Sequence, residues 1–344
     1  MTRHGVAAAA ALLLLVGAPL RVNTAAQRPA TRTVTDMAGR RVVVPAEIRR
    51  IATLNSVPVI NSLVLGLGQG AKIVNGMPDY AKTPRYKYAR LFAPAIVDKP
   101  NVLGSGREPS IEALLSTAPD VAFTMDRPTV DLLERNRIPV VFLSWRQPED
   151  IAQVMRLMGE TLNASAAAAD YLKYFDEVAA RVDRGVAAVP REKRPRVLYC
   201  NLQRLTQDQL IGEWWMEKAG GISVTNNGRT IESFPFTLEQ MFAWDPDVLI
   251  VANPDDFKEV NTDKRFAALK AVKNKRVAVA PIGAHLWTNR TIEQPLTLLW
   301  AAHTLLPAAF ASVDLVKETQ AFYARFFHFT ITADQAREIL SGTW

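Results

Sequence analysis

Histidine, tryptophan and arginine stand close together in the segment PIGAHLWTNR, residues 281–290. Arg290 could pair with an oxygen anion, because its planar guanidinium matches two oxygens at once. Trp287 could form a flat apolar wall, and His285 could ligate a metal whose coordination shell is incomplete. Each residue also has a structural interpretation: Trp287 could pack in a core, and His285 could donate to a backbone carbonyl. Glu293, three residues after Arg290, is a competing partner for that arginine.

Further polar and aromatic side chains stand directly after β-rich runs or at the start of predicted helices. In open α/β sheets the ligand crevice lies beyond the carboxyl ends of the strands, so we expect these side chains to meet in one cleft. Trp214 and Trp215 are adjacent on a predicted helix, so only one of the two indoles is expected to face it. The predicted ligand-binding set is Asn55, Asp79, Tyr80, Arg127, Trp145, Trp214, His285, Trp287 and Arg290.

The chain carries none of the short motifs that mark common catalytic sites. It has no His-Glu-x-x-His, no Gly-x-Ser-x-Gly and no Gly-x-x-x-x-Gly-Lys-Ser/Thr. Glu112 and Glu239 are a conceivable acid–base pair, but they stand in two separate repeats, whereas glycosidase carboxylates must converge within about 10 Å. We therefore expect a protein that is not an enzyme.

Metal ligands are also scarce. With four histidines and one cysteine in the chain, no site offers the three or four close ligands that a transition metal usually needs. We expect no resident metal and no cofactor, and a metal carried in its own organic chelate would need fewer protein ligands. Cys200 lies in an apolar run and is expected to be a buried structural thiol.

Alternating β-rich and helical runs predict a mixed α/β fold. Residues 164–186 contain neither Gly nor Pro before Gly185, and their apolar residues recur at helical spacing, which predicts one long amphipathic helix. We expect two lobes joined by this helix, each with a small parallel sheet flanked by helices. The predicted strands cover residues 41–44, 51–54, 121–125, 140–143, 197–200, 248–252 and 277–280.

Two segments on either side of the long helix echo each other. They read IEALLSTAPDV (residues 111–121) and LEQMFAWDPDV (residues 238–248). In each, an apolar residue and a glutamate open a short helix, a proline ends it, and Asp-Val leads into a β-rich run. An internal repeat of a whole supersecondary unit indicates two equivalent halves.

The N-terminus has the order of a secretory signal peptide over residues 1–26, with cleavage near Ala26. Its apolar run, residues 6–20, is shorter than the roughly 20 residues of a spanning helix and contains a glycine and a proline. No cysteine stands at the cleavage site, so a lipoprotein anchor is not expected. The net charge of +7 is scattered, and the basic cluster at 191–196 lacks interleaved aromatics, so no nucleic-acid partner is expected.

The order of several segments resembles the class III, helical-backbone solute-binding proteins of ABC importers, which carry iron-siderophores, haem and cobalamin. TDMAGRRVVVP (residues 35–45) is similar to the opening hairpin of that family, and residues 50–68 are similar to its first βα unit. Residues 112–121 resemble its Glu-helix-Pro-Asp segment, residues 219–221 its second-lobe turn, and residues 322–340 its closing helices. The resemblance covers nearly all of the chain after the predicted signal peptide.

This resemblance implies an N-terminal lobe at 33–160, a connecting backbone helix at 161–190 and a C-terminal lobe at 195–344. It also implies that one surface glutamate per lobe docks into basic pockets on the importer's membrane subunits, here Glu112 and Glu239. Each carboxylate could also simply favour the positive end of its helix dipole. The rigid backbone helix implies only modest hinge closure.

The resulting prediction is a monomeric periplasmic protein that captures a metal chelate, first of all a ferric siderophore, and delivers it to an ABC importer. Cobalamin, haem, a nickel chelate or an oxyanion held by Arg290 remain alternatives. A periplasmic sensor that uses the same fold without transport is the alternative of another class.

Overall fold

The computed structural model describes residues 1, 2, 30–104 and 108–344. The apolar run and the cleavage site of the predicted signal peptide lie outside these residues. Within them, no helix combines the length and apolarity needed to cross a bilayer.

The N-terminal half combines a hairpin with a small parallel sheet. Its strands are β1 (Thr31–Thr35), β2 (Arg41–Pro45), β3 (Ile51–Thr53), β4 (Val121–Thr124) and β5 (Val140–Phe142). Its helices are α1 (Val57–Gly66), α2 (Lys87–Phe92), α3 (Ile111–Ser116), α4 (Arg127–Arg135) and α5 (Asp150–Thr161). Strands β1 and β2 pair antiparallel, whereas β3, β4 and β5 form a parallel sheet in that order. The parallel strands are buried along their whole length, because helices cover the sheet.

Helix α6 (Ser165–Ala187) follows and is 23 residues long, which corresponds to about 35 Å. It confirms the prediction of one long helix over residues 164–186. Its buried residues lie three to seven positions apart on one stripe, and helices from both halves pack against that stripe. They are Ala168, Tyr171, Val178, Val182 and Val186.

The C-terminal half is built on a second parallel sheet. Its strands are β6 (Arg196–Cys200), β7 (Thr206–Gln207), β8 (Ile222–Ser223), β9 (Phe234–Pro235), β10 (Val248–Val251) and β11 (Val277–Val279). Its helices are α7 (Ile211–Lys218), α8 (Leu238–Trp244), α9 (Pro254–Thr262), α10 (Lys270–Lys273), α11 (Gln294–Leu305), α12 (Leu315–Phe326) and α13 (Ala333–Ser341). The parallel sheet has the order β11-β10-β6-β8, while β7 pairs with β9 antiparallel. The predicted α/β class, with small parallel sheets flanked by helices, is confirmed.

The repeat seen in the sequence is also a structural repeat. After α3 and after α8 the chain turns through a left-handed residue, Ala118 at φ 41° and Asp245 at φ 39°. Two residues later, Asp120 accepts the N–H group immediately before β3, and Asp247 accepts the first N–H group of β6, both at 2.9 Å. Asp120 therefore links the start of β4 to the neighbouring strand β3, and Asp247 links the start of β10 to the neighbouring strand β6.

The two halves share one continuous hydrophobic core. Gly66, at the end of α1, leaves no room for a Cβ atom, because the side chain of Ile292 from the C-terminal half fills that space. A smaller apolar cluster lies within the C-terminal half and contains Cys200, which is fully buried. Burial raises the pKa of the Cys200 thiol, in keeping with a structural role.

Candidate ligand-binding cleft

A cavity of about 850 Å³ lies between the two halves, beyond the carboxyl ends of β4 and β5. This is the position at which open α/β sheets hold their ligands. The loops after these two strands supply most of the lining, and three loops of the C-terminal half complete it. The lining residues are Met37, Ser56, Val59, Met125, Asp126, Arg127, Pro128, Phe142, Leu143, Ser144, Trp145, Arg146, Gln209, Glu232, Asn289 and Arg290.

Arg290 reaches the cavity from the C-terminal half, and its side chain is only 13% exposed. Its Nη1 donates to Oε1 of Gln209 at 2.7 Å, and its Nη2 pairs with the carboxylate of Glu232. Its Nε is buried and has no acceptor within the described part of the chain. The guanidinium is therefore held in place while one of its donors stays unsatisfied.

The loop that carries Arg290 is fixed by its own hydrogen bonds. The N–H group of Trp287 donates to the carbonyl of Pro281 at 3.0 Å, which closes the loop on itself. Gln294, in the first turn of α11, donates through Nε2 to the carbonyl of Asn289 at 2.6 Å. These bonds hold the backbone next to Arg290 against a buried helix.

The N-terminal half contributes Arg127 and Trp145. Asp126 caps α4 by accepting the N–H group of Thr129 at 2.9 Å, so Arg127 occupies the first position of that helix. The guanidinium carbon of Arg127 lies 4.3 Å from the centre of the Phe142 ring, within the range of a cation–π contact. Trp145 is buried, and its indole Nε1 has no hydrogen-bond acceptor among the residues described.

The charges around the cavity favour an anionic ligand. Arg127, Arg146 and Arg290 contribute three positive charges, while Asp126 and Glu232 contribute two negative ones. The Asp126 carboxylate is already engaged by the N–H and hydroxyl groups of Thr129 in the cap of α4. Across the described ranges, no group of three or more His, Cys, Asp or Glu is placed to hold a metal ion.

Asn55 lies beside the main cavity and lines an adjoining pocket of about 560 Å³. The two pockets share Ser56, Asp126 and Pro128. Asn55 has a left-handed backbone at φ 59°, and its Oδ1 accepts a hydrogen bond from the Thr124 hydroxyl at 2.7 Å. The turn after β3 thus places this amide next to the end of β4.

Asp79, Tyr80 and Trp214 of the predicted set lie outside the cavity. Asp79 and Tyr80 stand on an exposed turn, where Asp79 pairs with Lys82 at 2.7 Å. Trp214 stacks on Phe175 of α6, with ring centroids 6.2 Å apart. The indole therefore packs against the backbone helix, and none of the three residues lines the cavity.

His285 and Trp287 belong to the same loop as Arg290, and both side chains are buried. The His285 ring stacks on Tyr86 from the N-terminal half, with centroids 6.1 Å apart. Burial, together with the nearby charge of Arg85, lowers the pKa of His285 to about 3, so the imidazole is neutral at pH 7. Trp287 is fully enclosed, because its ring fills the core between the loop and the helices. Neither side chain lines the cavity.

Glu293, the competing partner expected for Arg290, serves the loop backbone instead. Its carboxylate accepts the N–H group of Ala284 at 2.8 Å and hydroxyl groups from Thr291 and Tyr323. Burial raises the pKa of Glu293, and these donors oppose that shift. Because Glu293 is engaged by these donors, Arg290 pairs instead with Gln209 and Glu232, which line the cavity.

Several lining residues do not belong to the predicted ligand-binding set. Arg146 and Asn289 are chain neighbours of Trp145 and Arg290, so the predicted loops already contained the signal for them. Glu232 gave no local signal, because it stands in an irregular loop 58 residues from Arg290. The others are Met37, Ser56, Val59, Met125, Asp126, Pro128, Phe142, Leu143, Ser144 and Gln209.

The two glutamates of the repeat stand at corresponding places in the two halves. Glu112 lies in the first turn of α3 and Glu239 in the first turn of α8, and both are exposed. Hydrogen bonds from its own N–H group and from Thr237 lower the pKa of Glu239. Each half therefore presents one carboxylate to solvent at the start of an equivalent helix.

Comparisons with known proteins agree with this architecture. A family model described as "Periplasmic binding protein" matches residues 51–282. The molybdate-binding protein MolA of Haemophilus influenzae is 27% identical over 339 residues, covering 89% of this chain and 94% of the relative.

Solved structures give the same result. A periplasmic solute binding protein from Veillonella parvula has a TM-score of 0.79 and 26% identity, covering 91% of this chain and 97% of that chain. MolA of H. influenzae bound to molybdate, the binding protein of an ABC transporter, has a TM-score of 0.77 and 24% identity, covering 88% and 99%. These relatives are solute-binding transport proteins and not enzymes. Because the family model spans more than half of the sequence, the chain belongs to the periplasmic binding protein family, in its class III form with a helical backbone.

Proposed function

We propose that this protein captures a tetrahedral oxyanion of the molybdate type in the cleft and delivers it to the membrane subunits of an ABC importer. One observation carries the proposal: three arginines and Trp145 line one cavity, and two buried donors of these residues have no acceptor. Those donors are Nε of Arg290 and Nε1 of Trp145, as far as the described residues go. The name of the relative MolA supports the same ligand class.

The chemistry of the donors supports an oxygen-rich anion. A buried donor without an acceptor costs about 1–3 kcal/mol, and a ligand oxygen would remove that cost. A guanidinium also binds two oxygens of one anion along a single edge. The Ser56 and Ser144 hydroxyls and the Asn289 amide, which line the same cavity, offer further donors to the remaining oxygens.

An anionic metal chelate, such as the ferric siderophore expected from the sequence, is the second candidate. The volume of about 850 Å³ is larger than one oxyanion needs and lies within the usual range for organic ligands. Met37, Met125, Phe142 and Trp145 supply apolar walls that an organic chelator could contact. The arginines would serve a catecholate or carboxylate chelator equally well.

For delivery, we propose that Glu112 and Glu239 dock on the importer. The supporting observation is that both carboxylates are exposed at equivalent points of the structural repeat. Two like charges at a fixed separation would orient the protein on a partner with two basic pockets. Such a role concerns uptake and leaves ligand affinity unchanged.

The test is calorimetric titration of the purified protein with molybdate, tungstate, sulfate and a ferric tris-catecholate complex. We expect molybdate and tungstate to bind, and Arg290→Ala to weaken that binding at least tenfold, about 1.4 kcal/mol. Arg337→Ala is the matched control, because Arg337 is exposed and pairs with Asp334 on the surface. Binding of the ferric complex without molybdate would transfer the proposal to the second candidate. Growth that depends on the bound ligand would separate transport from sensing.

A further inference from the structure

The ion pair between Arg290 and Glu232 has a consequence for ligand binding. Glu232 pairs through Oε1 with Nη2 of Arg290, and its Oε2 accepts the N–H group of Leu210 at 3.1 Å. Gln209, the residue before Leu210, accepts a hydrogen bond from Nη1 of Arg290. One of the two terminal nitrogens of Arg290 is thus already paired with a carboxylate. That carboxylate belongs to Glu232, which also lines the cavity.

The unsatisfied donor of Arg290 shares one edge of the guanidinium with the nitrogen that carries this ion pair. Nε and Nη2 form the side edge of an arginine, which is one of the two edges able to bind two oxygens of one anion. Here Nη2 donates to Glu232, while Nε is buried without an acceptor among the described residues. An oxyanion that binds along this edge would satisfy Nε, and it would lie beside the Glu232 carboxylate, whose like charge opposes its binding.

The surroundings of Glu232 allow its side chain to leave without disturbing its backbone. The side chain is 47% exposed, in contrast with the 13% of Arg290. The carbonyl groups of Ile231 and Glu232 accept hydrogen bonds from Nη1 of Arg229 at 2.9 and 2.8 Å. Arg229 is itself held by a buried ion pair with Glu213. The backbone is thereby fixed, whereas the carboxylate can rotate into solvent at the cost of one partly exposed ion pair and of the hydrogen bond from the Leu210 N–H group.

We propose that Glu232 is a resident competitor for the ligand anion. It occupies Arg290 while the cleft is empty, opposes the entry of anions by its own charge, and rotates away when an oxyanion binds the Nε–Nη2 edge. This inference rests on the oxyanion function proposed above. It makes Glu232 a determinant of selectivity, because an anion with low charge gains too little from Arg290 to displace a carboxylate.

The test compares molybdate binding by the full chain and by Glu232→Gln, measured by calorimetry at one pH and one salt concentration. Glutamine keeps an oxygen that can accept from Arg290 and loses the charge. We expect molybdate affinity to rise about tenfold, and the ratio of molybdate to nitrate affinity to fall. Glu217→Gln is the matched control, since Glu217 is an exposed carboxylate of the same half that accepts from Asn226 outside the cavity. Its affinity should equal that of the unaltered protein.

The outcomes separate this inference from the proposed function. If the unaltered protein and Glu232→Gln both fail to bind molybdate, the oxyanion function itself is wrong. If the unaltered protein binds molybdate and Glu232→Gln binds it equally or more weakly, Glu232 supports the ligand and the competitor role is overturned. In Glu232→Gln, the glutamine amide can itself donate a hydrogen bond to molybdate. Glu232→Ala removes that hydrogen bond, and it should also bind molybdate more tightly than the unaltered protein. Thermal unfolding of each variant confirms that the loop has not collapsed.

Discussion

Phe92 stacks on Tyr323 with ring centroids 4.5 Å apart, and this contact joins α2 of the N-terminal half to α12 of the C-terminal half. Phe327 and Phe329 each form a T-shaped pair with the same Phe92 ring. The halves are thus connected by an aromatic cluster as well as by the backbone helix. T-shaped and stacked ring pairs stabilise a fold beyond the contribution of the apolar area that they bury.

Replacing Phe92 by alanine should therefore destabilise the whole chain. The ring is buried, and removing a buried phenylalanine typically costs about 3 kcal/mol or more, since it leaves a cavity. Urea unfolding followed by circular dichroism measures the loss. Leu91→Ala is the control, because Leu91 is an exposed neighbour on the same helix and should change stability by about 0.5 kcal/mol at most. Equal losses for both variants would contradict the role of the cluster.

His285 should make stability depend on pH below about 6.5. In the unfolded chain this imidazole takes up a proton near pH 6.5, whereas in the folded protein its pKa is lowered to about 3. Between these values the unfolded state binds the extra proton, so stability is full above pH 6.5 and falls as the pH drops.

From pH 6.5 to 5.0, the unaltered protein should lose about 1.6 kcal/mol more of its unfolding free energy than His285→Gln loses. Urea unfolding at the two pH values gives both differences. Parallel losses in the two proteins would show that His285 becomes protonated without unfolding, and hence that it is accessible to water in the native state.

Gly283 should not tolerate even a methyl group. A Cβ atom at this position would collide with the hydroxyl of Tyr323 and with Oε1 of Glu293, both of which are buried and bonded to each other. Overpacking of this kind costs about 1–3 kcal/mol. We expect Gly283→Ala to lower the melting temperature clearly, while Gly228→Ala, at an open left-handed turn, loses only the smaller backbone preference. A Gly283→Ala protein as stable as the unaltered chain would show that Tyr323 is free to move.

Removing Glu112 and Glu239 together should abolish uptake and leave ligand affinity unchanged. Both carboxylates are exposed, and neither lines the cavity. Ligand-dependent growth measures uptake, and calorimetry on the purified variant measures affinity. The control is Glu149→Ala with Glu177→Ala, which removes two exposed carboxylates outside the repeat. A loss of affinity in the Glu112 and Glu239 double variant would contradict docking.

The regular elements could be predicted because their signals are local. Strand β4 and helix α6 lie within about one residue of the positions expected from apolar runs and helical spacing. The repeat of Asp120 and Asp247 could also be predicted, since it depends on the order of residues along the chain.

The direction of each side chain could not be predicted in the same way. Trp214 and Trp215 look equivalent in the sequence, but one packs on the backbone helix and the other is enclosed in the core. Arg290 finds its partner Glu232 at a distance of 58 residues, whereas the nearer Glu293 is bound to the loop backbone. Such choices depend on which elements meet in space, and no local pattern records that.

Because Gly66 and Ile292 meet in one hydrophobic core that both halves build, each half covers apolar surface of the other. If the chain were cut before the backbone helix, each fragment would expose an apolar face that the other half covers in the intact protein. The internal repeat looks modular in the sequence, yet its two modules have become mutually dependent. A chimera that takes one half from a relative must therefore also keep the residues of the other half that pack against it.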